Sequence, residues 1–181
     1  MSKEGLMQFH GTWKECETKG DSECLKAMGV GKTKRRIVKK LKIKIKYDVQ
    51  SPTKVICTNK TFNKTEIIDL GISKTFDSDL GVTDNLHVLE DDNKTLFSKV
   101  TVVKPNSSFK KLKIGDVIET TVVLNDNGQL VSTVKVKGAT LIKTFKLKNS
   151  ADENDEDDKE NEKLRKMAAE AKEDEGDDDD E

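Results

Sequence analysis

Between Leu41 and Val49 the chain alternates without a break: Leu41, Ile43, Ile45, Tyr47 and Val49 are apolar, and Lys42, Lys44, Lys46 and Asp48 separate them. Period two of this kind is the mark of a strand with one buried face. Strand character then recurs in short runs as far as Leu147. Gln50-Ser51-Pro52 turns the chain into a run over 53–59, and a further strand over 61–70 stops at Gly71. A run over 94–103 ends at Pro105-Asn106, and one over 109–114 ends at Gly115-Asp116. Runs over 117–124 and 129–137 flank Asn127-Gly128, the strongest short hairpin signal in the chain. The last run, 139–147, follows Gly138. Helical spacing occurs in two places upstream. Segment 21–28 sets Cys24, Leu25 and Met28 on one face, with Asp21 placed to cap it and Gly29 to end it. Segment 33–41 directs Ile37, Val38 and Leu41 to a core and leaves Lys34, Arg35, Arg36, Lys39 and Lys40 around the rest. About nine or ten short strands with antiparallel turn spacing, and two small helices after the first strand, predict an antiparallel barrel or clamshell whose closure removes most sheet edges.

Charge divides the chain in two. The 181 residues carry 33 Lys+Arg and 34 Asp+Glu, a formal charge of −1. Residues 151–181 hold 17 of the acids and 5 of the bases, a net of −12, which leaves the body at +11. A like-charged block with little to bury cannot offset its ordering entropy, so the tail is expected to be disordered or at most transiently helical. Its middle has one amphipathic stretch in which Leu164, Met167, Ala168 and Ala171 share a helical face. Such a helix is marginal in isolation. The domains expected are therefore a single-core barrel over 1–150 and an acidic tail over 151–181. Nothing in the sequence approaches the roughly 18 apolar residues of a membrane span, and Met1 to Met7 contain no signal-peptide core. Cys16, Cys24 and Cys57 are odd in number and lack metal or disulfide spacing. Together these features predict a cytoplasmic protein with reduced thiols, with the nucleus as a second candidate location.

Several residue strings resemble the intracellular fatty-acid-binding proteins. Phe9-His10-Gly11-Thr12-Trp13-Lys14, Glu23, and Leu25 through Gly31 are similar to that family's opening, with the distance from GTW to GVG preserved. Thr61-Phe62-Asn63-Lys64-Thr65-Glu66-Ile67 with Leu70-Gly71, then Glu119-Thr120-Thr121 and Gly128-Gln129-Leu130, resemble its later motifs. The resemblance covers about residues 7–148. It implies a ten-stranded up-and-down clamshell with a two-helix lid that carries a long-chain fatty acid or similar hydrophobic ligand in its cavity. It implies a portal role for Phe62 and for the lid residues Leu25, Lys32, Lys34, Arg35, Arg36, Lys39 and Lys40. The departures are as informative. The family's last-strand Arg and Tyr fall on Lys143 and Phe145, its second Arg on Val123 or Leu124, and its lid aromatics on Asp21 and Cys24. One cation remains, and a lysine lacks the fork that grips a carboxylate in a bidentate way. About a dozen residues more than the family holds lie between Gly71 and Lys94, with no predicted structure.

The candidate ligand contacts are accordingly Lys143, Phe145, Phe62 and Tyr47, the last from the buried face of its strand. Lys143 shares parity with Leu141 and Phe145, so it faces the cavity either to meet a ligand or to pair with an internal carboxylate. Phe9 and Trp13 are expected to fill the closed end. Nine cations between Lys32 and Lys46, with no acid among them, suit transient contact with anionic membranes. Exposed aromatics interleaved with the cations, which single-stranded nucleic acid asks for, are missing. Catalysis is not expected: His10 and His87 belong to no nucleophile or metal spacing, and Gly31-Lys32-Thr33 lacks the earlier glycine of a phosphate loop, since position 26 is lysine. No cofactor is implied. Two other readings compete with the carrier: a chaperone that offers its acidic tail to basic proteins such as histones, and a barrel whose cavity has lost its ligand.

Overall fold

The turn chemistry read from the sequence sets the strand boundaries. In the computed structural model, which describes residues 3–90, 94–148 and 156–171, the elements follow in the order α1 (Lys3–Met7), β1 (Gly11–Lys19), α2 (Asp21–Ala27), α3 (Lys32–Val38), β2 (Lys44–Ser51), β3 (Lys54–Asn59) and β4 (Lys64–Asp69). They continue with β5 (Lys74–Ser78), β6 (Gly81–Leu89), β7 (Thr95–Pro105), β8 (Val117–Leu124), β9 (Leu130–Val136), β10 (Ala139–Leu147) and α4 (Glu156–Glu170). The ten strands form one antiparallel sheet in the order β4-β3-β2-β1-β10-β9-β8-β7-β6-β5. It is an up-and-down meander rolled so that the first strand pairs with the last: Trp13 opposes Leu147 and Thr18 opposes Lys143. This is the clamshell predicted. The segment 71–94, which had no predicted structure, supplies β5 and β6.

Closure is achieved by side chains as well as by strands. β4 and β5 end the sheet and do not pair with each other. Across their gap Lys64 reaches Asp79 at 3.2 Å, Lys74 pairs with Asp69, and Gly71 N donates to His87 O at 2.8 Å. The expected removal of edges by closure is thus incomplete, and ion pairs bridge what the ladder leaves open.

Other expectations are revised. The run 109–114 is a series of turns between β7 and β8, because Phe109 and Leu112 pack under α2 and Lys111 N donates to Met28 O at 3.2 Å. The strand expected from 61 begins at Lys64, since Thr61, Phe62 and Asn63 form the β3–β4 turn, with Asn63 at φ 56°. Asp21 is the first residue of α2 and no cap. Gly20 precedes it at φ 78°, and a Cβ there would lie 2.0 Å from the Thr140 carbonyl. Only glycine lets this turn lie against β10. The Asn127-Gly128 hairpin is present: Asn125 Oδ1 accepts from Asn127 N at 3.0 Å and Gln129 N at 2.9 Å.

The main core holds Leu6, Phe9, Trp13, Leu41, Tyr47, Leu130 and Phe145, all nearly inaccessible. Trp13 and Phe9 fill this end, where Trp13 Nε1 donates to Phe9 O at 2.8 Å. A second cluster of Cys24, Val102, Leu112, Ile118 and Val136 lies beneath α2.

Candidate functional site: the clamshell interior and its basic outer face

The inward positions of β4, β6 and β10 set a short list of polar groups into an otherwise apolar wall. On β6 the inner face is Thr83, Asn85, His87 and Leu89, all buried. Glu66 of β4 reaches across the strand gap. Its Oε1 accepts from Asn85 Nδ2 at 2.9 Å and lies 2.9 Å from His87 Nε2, which therefore carries the shared proton. His87 Nδ1 lies 2.7 Å from Ser98 Oγ. Burial disfavours the charge on Glu66, but the bonds from His87 and Asn85 outweigh it, and the carboxyl is held below its ordinary range. Beside it Tyr47 is bonded to Cys57, and burial, with Glu66 nearby, pushes the Cys57 thiol up to about 12. Burial likewise holds the Tyr47 hydroxyl well above its ordinary range.

Lys143 faces inward with Leu141 and Phe145, but it is already engaged. Its ammonium lies 2.7 Å from Glu15 Oε2 and 3.2 Å from Thr18 Oγ1. Glu15 is only 5% exposed, and its carboxylate also accepts from Thr18 Oγ1 and from Ile43 N at 3.2 Å. Of the two roles open to this lysine, pairing with an internal carboxylate is the one adopted. Phe145 is 1% exposed and belongs to the core, as does Tyr47, whose ring sits 6.5 Å from that of Phe9. Phe62 is half-buried in the β3–β4 turn and packs against the main core. Phe145 and Tyr47 thus share the main core and Phe62 packs against it, while Lys143 is paired with Glu15; the Glu66 cluster is one that the sequence reading did not single out.

On the lid, Lys32, Arg36, Lys39 and Lys40 are exposed, and Lys34 and Leu25 are half-buried. Arg35 is not an exposed contact. It is 8% accessible and donates to Val30 O at 2.7 Å, so it ties α3 to the turn between the lid helices. Lys44 is a second correction: it points outward from β2, yet it is 4% exposed. The middle of the acidic tail covers it. Asp158 lies 2.5 Å from Lys44 Nζ, Asp157 pairs with Lys14, and Lys14 holds the Asp157 carboxyl below its ordinary range. Asn161 grips the Lys42 backbone twice, accepting from its N–H at 3.0 Å and donating to its carbonyl at 2.9 Å. Leu164 is 8% exposed and joins the main core, and α4 packs along α3. The face that docks is Asp157, Asn161, Leu164, Arg165 and Ala168, whereas Met167 stays 46% exposed. A helix marginal alone is ordered here by the surface it meets. The remaining tail residues, 151–155 and 172–181, lie outside those described.

Among the described residues no group of three His, Cys, Asp or Glu is arranged to hold a metal, and no helix is long and apolar enough to cross a membrane.

The rolled ten-stranded meander with two helices after its first strand is shared with solved structures of fatty-acid-binding proteins. The fatty acid binding protein of Schistosoma mansoni in complex with arachidonic acid superimposes with a TM-score of 0.64 at 14% identity, covering 80% of this chain and 99% of that one. Apo lipid binding protein 8 of Caenorhabditis elegans gives 0.64 at 16% identity, with 79% and 97% covered. Fatty-acid-binding protein 1 of Echinococcus granulosus gives 0.62 at 16%, with 79% and 99% covered. No protein-family model matches the chain, and no curated protein matches it in sequence. The chain has the fatty-acid-binding-protein fold.

Proposed function

We propose that this protein is a non-catalytic intracellular carrier of a long-chain fatty acid or similar amphiphile, held inside the clamshell and exchanged at anionic membranes through the basic lid. The observation that carries this reading is the interior itself: polar side chains on the inner faces of β4, β6 and β10, set into an apolar wall under a two-helix lid. The fold shared with fatty-acid-binding proteins, one of them solved with arachidonic acid, supports it. Exposed Lys32, Arg36, Lys39 and Lys40 on the lid support membrane contact. The chaperone reading is weakened, because Asp157 and Asp158 are turned toward Lys14 and Lys44 of the same chain. Titration of delipidated protein with a fluorescent long-chain fatty acid, followed by displacement with oleate, tests the carrier. Saturable, displaceable binding near one equivalent is expected, and its absence for acids and for uncharged lipids alike would refute the proposal.

A further inference from the structure

The cleft between β4 and β5 opens beside Glu66 and encloses about 190 Å³. That is less than the roughly 300–1,000 Å³ of a pocket for a whole ligand, so it fits the polar end of an amphiphile and not its chain. Cys57, Glu66, Phe76, Asp77, Asp79 and Asn85 are among its walls. The hydrogen-bonding sense of these walls is fixed. Glu66 Oε1 accepts from Asn85 Nδ2, which settles the amide orientation and leaves Asn85 Oδ1 as an acceptor. Asn85 is 7% exposed, lines the cleft, and its Oδ1 is buried without a hydrogen-bond partner. A buried acceptor in that state is costly until something donates to it. Next to it the Glu66 carboxylate contributes a negative charge, and at the mouth Asp77 and Asp79 add two more against Lys64, which pairs with Asp79. Two inward lysines near at hand are engaged: Lys143 is taken by Glu15, and Lys74, which opposes Asn85, is taken by Asp69.

We infer that the β4–β5 cleft receives a hydrogen-bond-donating head group, an ammonium in preference to a hydroxyl, and that it discriminates against a carboxylate. The inference rests on the carrier reading and narrows its ligand class. An ammonium donates to Asn85 Oδ1 and to Glu66 together and neutralises the carboxylate. A hydroxyl supplies one donor and no charge. A carboxylate brings two more acceptors to Asn85 Oδ1 and Glu66, and the cation that lines the cleft, Lys64, is already paired with Asp79.

The test uses the full chain loaded with the uncharged probe diphenylhexatriene, displaced in turn by dodecylamine, dodecanol and dodecanoate below their aggregation limits. Dodecylamine should displace the probe at concentrations about tenfold lower than dodecanoate, the scale of one charge-assisted hydrogen bond. Dodecanol should fall between them. Added salt should weaken the amine and leave the alcohol unchanged. Glu66→Gln should bring the amine to the level of the alcohol, with far-ultraviolet circular dichroism confirming that the variant folds. The wild-type salt response stands whether or not it does. Equal displacement by all three, or preference for dodecanoate, overturns the inference and leaves the carrier intact. Failure to bind the probe or any of the three overturns the carrier reading and this inference with it.

Discussion

Release of the tail helix should turn a covered basic face into a membrane-binding one. α4 is held by Leu164 in the core, by Asn161 on the Lys42 backbone and by the pairs Asp157–Lys14 and Asp158–Lys44. Lys14 and Asp157 are 42% and 31% exposed at their side chains, so that pair contributes little to docking. Leu164 is the principal anchor: at 8% exposure its burial contributes about 2 kcal/mol, in a helix that is marginal by itself. Leu164→Asp removes that contribution and adds a charge to the interface, so α4 should detach. Lys14 and Lys44 then face solvent. At about 1 kcal/mol per cation near an anionic surface, the two add about 2 kcal/mol, or roughly thirtyfold in vesicle affinity. The tethered acids reduce this gain, and deletion of residues 151–181 should restore it in full. Cosedimentation with vesicles rich in anionic lipid, at low and high salt, measures the affinity, and amide hydrogen exchange over Glu156–Glu170 measures release. Fast exchange in this helix without any gain in vesicle binding would refute the idea that α4 shields the basic face.

Four further outcomes are expected. Glu15→Gln frees Lys143 from its closest partner and should raise oleate affinity several-fold in the displacement titration. It should also lower stability by about 1–3 kcal/mol, less than a fully buried pair because Lys143 is 22% exposed. Glu66 and Asp157 have folded-state carboxyls below their ordinary range, so their stabilisation is complete above the unfolded values near pH ~4–4.5 and is lost as pH falls through the folded values. Urea midpoints should be flat from neutrality to about pH 5 and decline below it, and Glu66→Gln should lessen the decline. Thiol labelling at mildly alkaline pH should show one fast cysteine, the exposed Cys16, because burial raises Cys24 and holds Cys57 near 12. Gly20→Ala should destabilise more than Gly71→Ala in chemical denaturation: both glycines have φ 78°, but only at Gly20 does a Cβ meet backbone, 2.0 Å from Thr140 O.

The fold was legible because its signals are local. Period two from Leu41, the Asn127-Gly128 turn and the breakers Pro52, Gly71, Pro105 and Gly115 are properties of a few adjacent residues. The polar cluster was not legible, for a reason visible on β6. There Val82, Leu86 and Val88 alternate with Thr83, Asn85 and His87, and the polar set points inward while the apolar set lies half-buried outside. On β4 Glu66 shares the inward parity of the buried Ile68, while Ile67 is left 43% exposed. A rule that sends apolar residues inward reverses β6 and overlooks Glu66 on β4, because a clamshell that holds a partly polar interior needs that exception. Phe109 to Ile114 failed differently: it pairs with no strand, Phe109 and Leu112 pack under α2 instead, and Ile114 is left exposed.

The tail also shows why charge counts alone mislead. A net of −12 against +11 predicts attraction without saying where it acts. The register of α4 supplies the place. Asp157, Asn161, Leu164 and Ala168 recur at helical spacing, so an acid, an amide, an apolar anchor and a small residue meet β1, β2 and α3 in sequence. The same helix that satisfies Lys44 also braces α3, and α3 with the turn after it carries Lys32, Arg36, Lys39 and Lys40. The ion pairs of the outer face and the brace on α3 therefore lie on one helix. Under the proposed carrier reading, an anionic surface that competes for Lys14 and Lys44 should also loosen that brace, and faster amide exchange in α3 on addition of anionic vesicles is the expected sign of it.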